Sequence, residues 1–225
     1  MPRRKLSREG ILAAALALAD AEGIDALSMR RLGQALGVEA MSLYKHVSGK
    51  EDILDGIADL VMLEVEVPAR DMPWRDAVRG SAISAHRALL RHPWASAVLE
   101  SRRNPGPARL GYLDAMVTVL RDAGFSTPDV ARAFGAIDSQ VYGFTLQVLA
   151  MPFDVRESPD DVAAMAAEFG DAYPGLRAMA DLALSEPGVP MDIEFGLDLV
   201  LDGLERRLVE GSSRSRGRTP SPRLD

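Results

Sequence analysis

At 225 residues, 47% of them apolar, the chain can build one large or two unequal domains around real cores, and it has no run of ~18–20 apolar residues that would span a membrane. It has no cysteine, which excludes a disulfide framework and cysteine-ligated metal and fits a reducing cytoplasm, the compartment expected here. The net charge of −7 is uneven: residues 1–50 carry eight basic and five acidic side chains, 51–210 fourteen and twenty-seven, and 211–225 four and one. A basic head on an acidic body implies that only one end meets a polyanion.

The first twenty-one residues, MPRRKLSREGILAAALALADA, imitate a secretory signal, with a basic start, an apolar run and an A-x-A site at Ala19-Asp20-Ala21. Glu9, Asp20 and Glu22 flank that run, however, and Ile11, Leu12, Ala15, Leu16 and Ala19 recur at helical spacing. The segment therefore reads as an amphipathic helix over 7–21 that stops near Gly23. Ser28 is a suitable N-cap for a second helix over 29–36, which Gly37 ends as a C′ residue. A third helix over 39–47 turns Leu43 and Val47 inward and leaves Ala40, Met41, Tyr44 and Lys45 on the opposite side. Ser48-Gly49-Lys50-Glu51 has the S-x-x-E form of a capping box and opens a helix over 49–66. Further helices are expected at 74–91, 95–101, 106–123, 127–150, 159–184 with a break near Pro174, and 191–209. Proline and glycine clusters separate them. Residues 211–225, GSSRSRGRTPSPRLD, lack apolar periodicity and are expected to be a disordered basic tail. The fold class is all-α, divided into a head over 1–50, a helical body over 51–210 and the tail.

Two helices too short to persist alone, joined by a glycine turn, have the form of a helix-turn-helix whose second helix enters the DNA major groove. Helix N-termini near Ser28 and Ser48 suit phosphates, and Arg30, Lys45 and Lys50 add formal charge beside them. Spacing and charge leave two readings open: a DNA-binding head, or a helical small-molecule-binding or protein-interaction module with a solvated Tyr-Lys-His face and no sequence-specific DNA binding. Enzyme classes lack their residues. There are three histidines (His46, His86, His92) and no P-loop, HExxH or nucleophile-elbow pattern, so no catalytic residue, metal site or cofactor is expected.

The stretch GVEAMSLYKHVSGKEDIL matches G-V-x-x-x-[ST]-[LI]-Y-x-H-[VF]-x-x-K-x-x-L, and residues 7–59 as a whole resemble the N-terminal domain of the TetR family of bacterial transcriptional repressors. HRALLRHPW and DIEFGLDLVLDGLERRL are similar to the C-terminal domain of its tetracycline-repressor-like branch. The resemblance implies a homodimer on a near-palindromic duplex operator, released by a small-molecule effector. Residue by residue, it implies base or nearby phosphate contacts from Arg30, Glu39, Ala40, Met41 and Ser42. Phosphate contacts would come from Tyr44, Lys45, His46 and Lys50. Ala40 and Met41 are apolar where relatives carry polar base-reading residues, so thymine methyls and DNA shape gain weight.

In the body, polar groups set in apolar helices are the effector-binding candidates: His86, Trp94, Tyr112, Asp138, Gln140 and Tyr142. The tetracycline-binding relatives have a histidine after the RHPW-like segment that helps hold a magnesium–drug complex. Leu99 is its approximate equivalent here, which favours a moderately hydrophobic effector over tetracycline–magnesium. Helices 127–150 and 191–209 carry apolar residues on more than one face, with Phe195, Gly196, Leu199, Gly203 and Leu204 as close-packing candidates. The resemblance implies that these two helices pair with their copies in a four-helix dimer interface.

Overall fold

The computed structural model describes residues 6–102, 105–151, 159–170, 172–186 and 192–216, with side chains through Glu210. Among the described residues eleven helices follow in order: α1 (Arg8–Glu22), α2 (Met29–Leu36), α3 (Ala40–Leu43), α4 (Lys50–Leu63), α5 (Trp74–Arg91), α6 (Ala95–Ser101), α7 (Pro107–Asp122), α8 (Thr127–Ala150), α9 (Pro159–Phe169), α10 (Pro174–Ser185) and α11 (Ile193–Arg216). A 3₁₀ turn over Ile24–Ala26, absent from the sequence reading, links α1 to α2. No strand occurs among the described residues, so the fold is all-α as expected. No described helix is long and apolar enough to cross a membrane.

The chain groups into two compact units, residues 1–135 and 136–225, with the division inside α8. In the first unit α1 lies against α2 and α4, while α4 also lies against α5, α6 and α7. Periodicity explains the head: Ile11, Leu12, Ala15, Leu18 and Ala19 are the buried stripe of α1, with Leu18 rather than Leu16 completing it. Leu32, Leu43 and Val47 are buried from the following turns, and Leu36 is half-buried. Gly56 permits a close crossing of α1 and α4, because a Cβ there would meet the Leu12 methyls at 2.6 and 2.8 Å.

Tertiary partners redraw several helix ends. α4 stops at Leu63 instead of 66, because α5 captures the next backbone groups: Ser84 Oγ accepts from the Glu66 N–H at 2.9 Å and Ser81 Oγ donates to the Glu66 carbonyl at 2.7 Å. The S-x-x-E box is corrected too. Gly49 is the N-cap of α4, and Asp52, not Glu51, accepts from the Ser48 N–H at 2.8 Å. Asp52 also accepts from Arg8 at 2.7 Å, which ties α1 to the start of α4. Glu51 and Asp55 instead hold Arg102, and the hydrogen bond that the guanidinium donates to Glu51 raises the arginine pKa further. One turn on, the Asp59 carboxylate accepts from the Ala108 and Arg109 N–H groups at 2.9 and 3.1 Å, capping α7 from α4. One row of acids on α4 thus serves the start of α7 and the end of α6.

In the second unit α9 and α10 pack against each other through Val162, Ala166, Ala180 and Ala183, with Phe169 and Leu184 packed around them. Ile137, Val141 and Thr145 of α8 and Ile193, Leu197, Leu201 and Leu204 of α11 are buried. The Thr145 hydroxyl satisfies itself by donating to the Val141 carbonyl at 2.6 Å. α11 continues to Arg216, six residues into the segment expected to be tail; residues 217–225 lie outside the described residues.

Candidate nucleic-acid interface

The head is built around a close approach of α2 and α3. Ser28 caps α2 by accepting from the Arg31 N–H at 3.2 Å, and Gly37 ends it in the left-handed region at φ 67°. Gly33 brings the two helices together, since a Cβ there would lie 2.9 Å from the Val38 carbonyl oxygen and 3.2 Å from the Ala40 nitrogen. α3 proper is one turn, Ala40–Leu43, shorter than the 39–47 expected. It tightens into turns in which the His46 N–H reaches the Leu43 carbonyl at 2.9 Å and Val47 the same carbonyl at 3.1 Å. Leu43 and Val47, fully buried, anchor this segment from below.

What remains outside is a polar and cationic face with one large apolar side chain on it. Ser28, Arg30, Glu39, Met41, Tyr44, Lys45, His46 and Lys50 are exposed, and Ala40 and Ser42 are half-buried. Two of the head's cations are committed elsewhere. Arg31 pairs with Glu22, whose pKa is lowered by the arginine's hydrogen bond, and Arg8 pairs with Asp52. Among the described residues Arg30, Lys45 and Lys50 have no ion pair. They leave a concentrated positive charge beside α3 that counting residues would have diluted with Arg8 and Arg31. Arg3, Arg4 and Lys5 lie outside the described residues.

Behind the head sits a polar cluster with no local sequence signature. The buried ring of His92 has Nδ1 2.8 Å from an Asp20 carboxylate oxygen on α1 and Nε2 3.1 Å from Glu64, the residue that closes α4. The Trp94 indole N–H donates to the same Asp20 oxygen at 2.7 Å, and Arg91 donates twice to Glu64, at 2.6 and 2.9 Å. Burial alone would push the Glu64 pKa up; the hydrogen bonds from Arg91 and His92 outweigh it and hold the carboxyl below its ordinary value. In this cluster the only polar group of Trp94, one of the effector candidates, is already satisfied by Asp20.

The other effector candidates are distributed as follows. His86 on α5 and Tyr112 on α7 are buried on helices that lie against each other, and desolvation, with Arg87 nearby, lowers the His86 pKa. Asp138, Gln140 and Tyr142 are half-buried in the second unit, where the Gln140 amide occupies the space beside Gly196. Leu99 is buried, and its carbonyl accepts from Arg109. A surface cavity of about 220 Å³ is lined by Arg70, Met72, Trp74, Val119, Asp122 and Ala123, none of them among the six.

The dimer candidates divide by burial. Phe195 and Leu199 are exposed, 67% and 57%, on the same side of α11 as Val209. Leu204 is buried inside its own chain, Gly196 faces Gln140 of the same chain, and Gly203 is half-buried. On α8 the exposed side carries the small residues Gly135, Ala136, Ser139 and Gly143, which the apolar periodicity did not single out, together with Leu146.

Comparison with known proteins adds a family to this geometry. The family model for bacterial regulatory proteins of the tetR family matches residues 11–57, and that for the tetracyclin repressor-like C-terminal domain matches 67–208. The chain is 34% identical over 217 residues to the HTH-type transcriptional repressor DrrR1 of Streptomyces coeruleorubidus, covering 91% of this chain and 79% of that protein. It is also 34% identical to the tetracycline repressor protein class A from transposon 1721 of Escherichia coli, over 91% of this chain and 94% of the relative. Among solved structures, ActR of Streptomyces coelicolor in complex with actinorhodin superposes with a TM-score of 0.72 at 26% identity, covering 92% and 96% of the two chains. BioQ with its double-stranded DNA operator superposes with a TM-score of 0.60 at 25% identity, covering 89% and 98%. With both halves of the molecule matched, the chain belongs to the TetR family of bacterial regulatory proteins.

Proposed function

We propose that the chain is a ligand-responsive transcriptional repressor that binds a near-palindromic duplex operator as a homodimer. A small-molecule effector of moderately hydrophobic character, held by the C-terminal domain, releases it. The observation that carries this reading is the outward face of residues 40–50: buried Leu43 and Val47 hold the segment in place while Met41, Tyr44, Lys45, His46 and Lys50 stand exposed. Bases would be approached by the start of α3, and phosphates by Tyr44, Lys45, His46, Lys50 and Arg30 together with the N-terminus of α2. The acidic body repels the backbone of DNA and keeps clear of it.

Dimerisation in this reading uses the exposed sides of α8 and α11. Phe195 and Leu199 supply apolar area, and Gly135, Ser139 and Gly143 permit close helix approach. Two-fold symmetry then sets the two α3 segments about one DNA turn, ~34–36 Å, apart. Effector binding favours a body arrangement whose head spacing no longer fits, a shift in population between two states. α4 is suited to transmit it, since its acids hold both Arg8 at the head and Arg102, Ala108 and Arg109 in the body. The relatives named as repressors, ActR bound to actinorhodin and BioQ bound to its operator support the two binding roles. No catalysis is part of this function.

The test is duplex binding followed by fluorescence anisotropy at increasing salt. Six unpaired cations per dimer (Arg30, Lys45 and Lys50 in each head) predict a slope of log affinity against log salt of about −5. A slope near zero, or no binding, would remove the DNA-binding half of the proposal.

A further inference from the structure

Met41 is 74% exposed, more than any other large apolar side chain among those described. It stands on the single turn of α3, directly after half-buried Ala40, and the exposed cations Lys45 and Lys50 follow it along the same segment. An apolar side chain left in water at that position, on a segment whose exposed Lys45 and Lys50 form no ion pair among the described residues, fits a polyanion that presents an apolar group in the same place. We propose that Met41, with Ala40 beside it, is a specificity-determining element of the head, and that it reads thymine C5-methyl groups in the major groove. The inference rests on the DNA-binding function proposed above and deepens it by naming the operator feature that is read.

The chemistry leaves few other options. Neither the Ala40 methyl nor the Met41 thioether chain can donate a hydrogen bond to guanine or adenine, and neither makes the bidentate contacts by which arginine, asparagine or glutamine choose a purine. The one base-edge group in the major groove that rewards apolar contact is the thymine methyl. Methionine suits it, being long, unbranched and polarisable enough to settle against a methyl without a fixed rotamer. Ser42, half-buried behind it, is too short and too undemanding in its hydrogen bonding to select one base. The consequence is an operator with thymine at one or two fixed positions per half-site.

Thymine and uracil differ by that methyl alone, which makes the test direct. Duplexes are selected from a random pool with the full chain, and each thymine of the selected sequence is then replaced, one at a time, by deoxyuridine. Replacement at the read positions should weaken binding by roughly three- to fivefold per methyl, and by about ten- to twenty-five-fold when one such position in each half-site is changed. Met41→Ala should bind the thymine and uridine duplexes equally, and Met41→Leu should keep most of the preference. Because the side chain is exposed, both variants should retain the wild-type thermal midpoint. Equal affinity of the wild type for all uridine-substituted duplexes would overturn the inference while leaving operator binding intact, as would a Met41→Ala protein that still prefers thymine. Failure to enrich any sequence would instead defeat the proposed function itself, and this inference with it.

Discussion

Replacing Gly33 by alanine tests whether the approach of α2 to α3 positions the DNA-facing segment. A Cβ at this buried position meets three backbone atoms, Val38 O at 2.9 Å, Ala40 N at 3.2 Å and Ala40 Cα at 3.3 Å, none of which can swing away as a side-chain tip would. Relief therefore requires the turn to move by some tenths of an ångström, and overpacking of this kind costs about 1–3 kcal/mol. Alanine returns up to ~1 kcal/mol through its better helix propensity, so with the full return the net loss is at most about 2 kcal/mol, or up to roughly 8 °C in Tm for a chain of this size. DNA binding adds to it. If about half of that strain reappears when the groove draws α3 back to its original place, two heads forfeit ~1.4 kcal/mol, a tenfold loss of operator affinity. Gly80→Ala in α5 is the matched control, because a Cβ there meets nothing within 4 Å; it should gain about 0.5–1 kcal/mol. Urea unfolding measures the stabilities and anisotropy with the selected duplex measures affinity. A Gly33→Ala protein as stable as Gly80→Ala, binding DNA like the wild type, would refute the reasoning.

Three further outcomes are expected. Tyr44→Phe and Lys50→Ala should both weaken operator binding at unchanged thermal stability, and Lys50→Ala should reduce the magnitude of the salt slope by about 2 per dimer; unaltered titrations would take these exposed residues out of the interface. The double substitution of Phe195 and Leu199 by glutamate should give folded monomers in light scattering, whereas Leu204→Glu should destabilise the chain by burying a charge; a folded Leu204→Glu dimer would contradict the burial of Leu204. Glu64, whose folded pKa lies below its ordinary 4.5, stabilises the fold at pH values above that, and the contribution is lost as pH falls through the lowered value. Urea midpoints should therefore drop more steeply below about pH 4.5 in the wild type than in Glu64→Gln, and parallel pH profiles would show that the Arg91 and His92 contacts contribute nothing.

Much of the helical order was legible because local chemistry decides it. Gly37 has no Cβ to penalise the left-handed turn that ends α2, and the spacing of Leu43 and Val47 divides the third helix into an inner and an outer side before any tertiary contact is known. The bounds of α5, α6 and α8 follow the proline and turn residues around them. Illegible features depend on partners distant in sequence. Periodicity carries α4 on to 66, but Ser81 and Ser84 of α5 take the Glu66 backbone out of the helix. Ser48 and Glu51 have capping-box spacing, yet Arg102 draws Glu51 away and Asp52 takes its place. Nothing near Trp94 in sequence announces its partner Asp20, 74 residues earlier.

The same contrast runs through the candidate sites. The outward-facing residues of the head could be named from helical spacing, but which cations remain unpaired could not, since Arg31 and Glu22 look like any other surface charges until the turn between α1 and α2 brings them together. On α11 a run rich in leucine shows apolar residues on several sides without saying which side faces its own chain. Burial separates Leu204 from Phe195 and Leu199. The exposed small residues of α8 carried no hydrophobic signal at all, because glycine and serine matter there through the room they leave.

The central claim is that two copies of one head read one duplex in concert, and half-site phasing tests it most directly. Native electrophoresis of the full chain on the selected operator should show two chains bound per duplex, and inserting about five base pairs, half a helical turn, between the half-sites should abolish that complex by turning one groove away. Inserting a full turn should change affinity far less than the half-turn does only if the dimer can stretch; a rigid pair loses both. Binding of single chains to isolated half-sites, indifferent to any insertion, would contradict the account.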